Sequence, residues 1–107
     1  MNIKTTELTG TALDWAVAKC EGIKLNEGNT LSNDCDVYAP STNWSQGGAI
    51  IEREEISISH GFEWAAWTPA LIRDDAESFG YGETPLAAAM RCYVASMLGD
   101  EVDVPIV

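Results

Sequence analysis

Thr84-Pro85-Leu86-Ala87-Ala88-Ala89-Met90-Arg91-Cys92-Tyr93-Val94-Ala95-Ser96-Met97-Leu98-Gly99 is the stretch on which the fold turns. A threonine can cap a helix start, a proline at the first helical position loses an N–H that has no partner there anyway, and a glycine ends the last turn at little steric cost. Between Pro85 and Gly99 only Arg91 and Ser96 are polar. A helix apolar nearly all round is buried on more than one side, so residues 85–98 are predicted to form the spine of the core.

Outward from that helix, Glu55–Ser59 alternates, with Ile56 and Ile58 on one side and Glu55, Ser57 and Ser59 on the other, the period of a half-buried strand. His60-Gly61 turns the chain, His60 being a residue type that tolerates positive φ, and the aromatic run Phe62–Thr68 completes a hairpin over about 55–68 that Pro69 ends. Asp74–Gly82, acidic and glycine-bearing, reads as an exposed loop. Val102–Ile106 can add an edge strand guarded by Asp100, Glu101 and Asp103, and Asn2–Thr5 is a short extended segment at the other terminus.

A first helix over about 7–21 is predicted from Leu13, Ala16, Val17 and Cys20, with Thr6 or Thr9 as cap and Gly22 as stop. If Thr9 is the cap, Leu8 can staple onto Leu13. Asn26, Gly28, Asn29, Ser32, Asn33 and Asp34 make residues 22–36 a long loop, either mobile or part of a binding surface. A brief strand at Asp36–Tyr38, a turn with capping chemistry at Pro40–Asn43 and a break at Gly47-Gly48 follow. Ala49–Glu54 then reads as a short helical turn, or a strand, with Ile50 and Ile51 inward and Glu52, Arg53 and Glu54 outward. The expected class is α+β: a small antiparallel sheet, made of the hairpin and the terminal strands, against two main helices. With 107 residues and no internal repeat, a single domain spanning 1–107 is expected.

Seventeen Asp and Glu against six Lys and Arg give a formal net charge of −11. Phosphate neutralisation by basic side chains supplies most non-specific DNA affinity, so direct nucleic-acid binding is not expected. The charge serves solubility, or docks the chain on a basic protein. No run reaches the length of a membrane span, and Met1–Glu7 lacks a signal-peptide pattern, so the cytosol is the expected compartment. Cys20, Cys35 and Cys92, odd in number and widely spaced, read as free thiols, with Cys20 and Cys92 on apolar helical faces.

No phosphate-loop, dinucleotide, zinc-protease or serine-hydrolase motif is present, and His60 is the only histidine. No catalytic residue, metal site or cofactor is therefore expected. The acidic groups Asp34/Asp36, Glu52/Glu54/Glu55 and Asp74/Asp75/Glu77 match no EF-hand spacing and read as solvated faces. Two features stand out. Arg91, a charge inside an apolar helix, calls for a partner, ordinarily a carboxylate. Trp44, flanked by Ser41, Thr42, Asn43, Ser45 and Gln46, sets an amphipathic ring among hydrogen-bonding side chains, while two or three of Trp15, Trp44, Trp64 and Trp67 are expected in the core.

Three strings, Glu7–Gly22, Pro40–Glu54 with its Gly47-Gly48 pair, and Thr84–Ser96, together resemble the NinX-like family of small phage and prophage proteins of unknown function. The resemblance covers most of the chain and implies a phage-encoded accessory protein, without bringing catalytic residues. Where the family commonly has proline after the double glycine, this chain has Ala49. The expected role is non-enzymatic binding of a host or phage macromolecule through Glu52, Glu54, Glu55 and the Ser41, Thr42, Asn43, Trp44 and Gln46 segment. The alternative is a small-molecule or nucleotide-binding domain in which Arg91 and the Ser41–Trp44 turn meet an anion. The oligomeric state, homo-oligomer included, stays open.

Overall fold

The computed structural model describes residues 2–26, 30–31, 38–68, 79–99 and 101–104. Strand β1 (Asn2–Lys4) leads through a 3-10 turn (Thr5–Glu7) into helix α1 (Gly10–Glu21). Strands β2 (Leu25–Asn26) and β3 (Thr30–Leu31) precede α2 (Trp44–Glu54), β4 (Ser57–His60), β5 (Trp64–Trp67), β6 (Phe79–Gly82), α3 (Pro85–Leu98) and β7 (Glu101–Asp103). The class is α+β, as the sequence predicts. β4, β5 and β6 form an antiparallel sheet in that order, and β1 pairs with β7 in a separate two-stranded ladder rather than extending the hairpin.

Helix α3 is the spine. Thr84 Oγ1 accepts the Ala87 N–H at 3.1 Å, Pro85 opens the first turn, and Gly99, at φ 88°, donates its N–H to Ala95 O. Met90 and Tyr93 are buried and Met97 is half-buried. The three-stranded sheet lies on one side of this helix, with α1 and α2 against other parts of it. Leu8, Leu13, Val17, Ala89, Met90 and Val94 share the core they enclose.

The first helix starts at Gly10 rather than near residue 7, because Thr5–Glu7 closes a tighter turn through Leu8 N–H and Thr5 O. Thr9 stands at the cap position without a side-chain bond, Gly22 at φ 72° stops the helix, and Leu8 and Leu13, at the staple positions, are both fully buried. The loop expected over 22–36 contains the β2–β3 ladder in its described part; Asp34, Cys35 and Asp36 lie outside the described residues.

Three further expectations are corrected. Gly47-Gly48 does not break the chain: α2 runs through it from the Asn43 cap, whose Oδ1 accepts the Ser45 N–H at 2.9 Å. A Cβ at Gly47 would collide with Pro40 O and sit 2.6 Å from Leu86 Cδ2, so this glycine permits a close approach. Glu55 caps α2 at φ 54° instead of opening the strand, which runs Ser57–His60. His60 consequently lies in β4 at ordinary negative φ, and its ring meets Trp64 at 4.6 Å.

The acidic loop expected over 74–82 ends as β6. Gly80 and Gly82 resemble loop residues in sequence, but a Cβ on Gly80 would strike Ala88 O and Cys92 N, and one on Gly82 would lie 2.9 Å from Ala88 N. They are glycines because the strand rests on the helix backbone. The tryptophans also depart from expectation: Trp15, Trp64 and Trp67 are half-buried at the core margin, and Lys19 Nζ stands 5.4 Å from the Trp15 ring centre.

A polar knot joins the three helices at one end. Arg53 in α2 forks onto Glu21 of α1 with Nη1···Oε1 at 2.8 Å and Nη2···Oε2 at 2.6 Å, while the buried Tyr93 of α3 donates its hydroxyl to the same carboxylate. Arg53, ahead of the other influences, holds the Glu21 carboxyl below the usual range, and burial pushes the Tyr93 hydroxyl up. A carboxyl with a depressed folded pKa adds stability above its unfolded value, and this is lost as pH falls through the folded one. Glu21→Gln should therefore lower the unfolding free energy by about 1–2 kcal/mol at neutral pH. Urea melts across pH should show the gap to the wild type closing below about pH 4.

Candidate functional site

Arg91 sits where α3 passes the edge of the sheet and the entry to α1. Its Nε donates to Leu8 O at 2.8 Å and its Nη1 to Tyr81 O at 2.5 Å. The carboxylate expected from the sequence is replaced, among the described residues, by two backbone carbonyls. A guanidinium can do this because it presents several donors in one rigid plane, and here it ties β6 to the turn before α1.

Two open hollows flank this clamp. One, of about 450 Å³, is lined by Thr9, Ser41, Thr42, Glu63, Glu83 and Arg91 among others, so Ser41 and Thr42 do share a cleft with Arg91. The other, of about 470 Å³, lies between Lys4, Thr6, Phe79, Tyr81, Arg91 and Glu101. Trp44 joins neither. It borders a shallow hollow of about 180 Å³ with Ser41, Thr42, Thr84, Pro85 and Leu86.

Much of the polar chemistry anticipated near Trp44 is spent inside the fold. Ser41 is buried and donates its N–H to Asp14 Oδ1 at 2.9 Å, Gln46 Oε1 accepts the Ala39 N–H at 2.7 Å, and Asn43 is the α2 cap. Burial pushes the Asp14 carboxyl up, against the opposing pull of its Ser41 bonds. Thr42 and Trp44 remain at the surface, Trp44 being 56% exposed. Glu52 and Glu55 are exposed, whereas Glu54 is half-buried and accepts from Arg53 Nε at 2.9 Å.

Sequence reasoning missed Lys4, Thr6, Phe79 and Tyr81. The signal for the last two was present as the alternation Phe79-Gly80-Tyr81-Gly82, whose period of two is that of a strand with one bare face. Cys92 is buried, and burial raises its thiol to about 12, so it is inert as a nucleophile. Among the described residues no cluster of three or more metal-ligating side chains occurs, and no helix is long and apolar enough to cross a membrane.

These features define a class: a small α+β domain wrapped on one central helix, with open hollows either side of a clamped arginine. A family model described as Bacteriophage P22, NinX matches residues 4–97, and the chain belongs to that bacteriophage family. The match takes in all three strings on which the resemblance was read. No curated protein matches the chain.

If Arg91 is a clamp, its planar fork matters more than its charge. Arg91→Ala should cost about 2–4 kcal/mol, two charge-assisted bonds to carbonyls being lost. Arg91→Lys should cost about half of that, because an ammonium cannot reproduce the fork. Urea unfolding of both variants checks the order, and equal losses would contradict it.

Proposed function

We propose that this protein is a phage accessory protein that acts without catalysis, in the host cytosol, by docking on a basic protein of host or phage through the outer face of α2. The observation that carries the reading is the exposure of Trp44 at the head of a stripe leading to Glu52. Trp44, Gly48 and Glu52 recur at four-residue spacing and so share one helix face. A Cβ at Gly48 would lie 3.6 Å from Trp44 Cε3, in ordinary van der Waals contact, so the indole lies back along the helix over Gly48. Glu55 extends the acidic end of the stripe, which supplies an aromatic anchor beside charges.

The net charge of −11 supports a basic partner, since complementary fields speed encounter and exclude like-charged surfaces. Nucleic acid does not suit such a surface.

A second reading has its own support. Ser41, Thr42 and Arg91 border a common cleft, as a domain binding a small anionic molecule between that turn and the arginine requires. The buried, bonded state of Ser41 and the separate position of Trp44 weigh against it, so it ranks second.

Pulldown from host lysate with mass spectrometry tests the first reading. Trp44→Ala and the Glu52→Lys, Glu55→Lys pair should each reduce capture of the retained partner by about tenfold or more. Capture by the wild type should also fall as salt rises. Glu54 is left intact so that its bond to Arg53 is not disturbed. A partner captured equally by all three proteins would contradict the reading.

A further inference from the structure

The hollow on the Lys4 side of Arg91 combines features that the docking face on α2 does not use. On β6, Gly80 and Gly82 turn to the helix, and Phe79 and Tyr81 stand outward, each 50% exposed. Residues two apart on an extended strand are separated by about 6.8 Å. A planar ring stacked at about 3.5 Å from each neighbour would occupy that gap. The two rings, neighbours on one face of a strand seated on the helix, form a contiguous exposed aromatic patch.

Charge is arranged to match. Lys4 and Arg91 line the same hollow, and Glu101, opposite Lys4 in the β1–β7 register, is the carboxylate at its rim. Arg91 is held by Leu8 O and Tyr81 O, so its plane is fixed before any ligand arrives, and Nη2 has no partner among the described residues. A pre-positioned guanidinium loses little side-chain freedom on binding. The chain's negative field opposes an anion at long range, but at physiological salt it is screened over about 8 Å, leaving the local cations to decide. The hollow's volume of about 470 Å³ falls within the range of small-molecule sites.

We infer that this hollow binds a planar aromatic ring carrying an acidic group, with the ring between Phe79 and Tyr81 and the anion on Arg91 and Lys4. Glu101 accepts a hydrogen bond from an amino or hydroxyl group of the same molecule. The chemistry has two natural sources, a mononucleotide and an aromatic carboxylate. The site rests on the second reading above only for Arg91 as the anion's anchor, and it does not involve Ser41, Thr42 or Trp44.

Amide spectra of the nitrogen-15-labelled full chain test it, by titration at millimolar concentration with adenosine monophosphate, indole-3-acetate, adenosine and inorganic phosphate. Adenosine monophosphate or indole-3-acetate should shift the Gly80, Tyr81 and Gly82 amides and the Arg91 side-chain N–H, and whichever binds more tightly identifies the source. Adenosine and phosphate should bind more weakly by about tenfold or more, each supplying half of the contacts. Tyr81→Ala should weaken binding about tenfold by removing one stacking face. It should lower the thermal midpoint by only a few degrees, because the ring is half exposed and Arg91 holds the Tyr81 carbonyl and not the ring. The inference is overturned if neither combined probe moves these resonances, or if Tyr81→Ala binds as the wild type does. It is also overturned if phosphate alone binds as tightly as adenosine monophosphate, an outcome that leaves the anionic-ligand reading standing without its aromatic clamp.

Discussion

The rest of the structure depends on one close contact, the seating of β6 on the backbone of α3. No side chain separates the two at Gly80, where a Cβ would meet Ala88 O and Cys92 N. The helix matches this by presenting Ala88 and Cys92, both buried, at the contact. A strand bare on one face must carry its side chains on the other, so Phe79 and Tyr81 are driven outward by the same packing that stabilises the core. Arg91, one turn along α3, then reaches the strand's edge and fastens Tyr81 O to Leu8 O. The exposed rings and the fixed guanidinium are thus two consequences of one packing decision.

The polar ties around this contact show how an acidic chain uses scarce cations. Lys4, Lys19, Lys24, Arg53 and Arg91 are the cations among the described residues, and the two arginines work within the fold. Arg53 gathers Glu21, Glu54 and Tyr93, drawing all three helices together. Among the described residues Arg91 pairs with no carboxylate, its bonds going instead to the carbonyls of Leu8 and Tyr81. Asp14 fastens α1 to the turn before α2 through the Ser41 N–H, which is why Ser41, although polar and next to an exposed tryptophan, is part of the frame.

The sequence made α3 legible because every local signal agreed: threonine cap, proline start, unbroken apolar run and glycine stop. The 57–67 hairpin was legible from the alternation of Ile56 and Ile58 with serines. What escaped was glycine used for proximity. Gly47 and Gly80 have the same letter as a turn residue, and only the neighbouring Pro40, Leu86, Ala88 and Cys92 show that they mark close approaches. The exposure of Trp44 was readable from its polar neighbours, but not that Ser41, Asn43 and Gln46 would spend their hydrogen bonds internally. Arg91 was recognised as needing a partner, yet a backbone carbonyl has no letter in a sequence. The family membership, carried by three long strings, was the most legible feature.

The seating of strand on helix can be measured directly by equilibrium urea unfolding of Gly80→Ala. One added methyl has nowhere to go, so the account predicts a loss of about 3 kcal/mol or more, with the Phe79 and Tyr81 face disordered alongside. Gly80→Ala unfolding at the wild-type midpoint would show that the strand does not lie on the helix backbone, and the placement of Arg91 and both rings would fall with it.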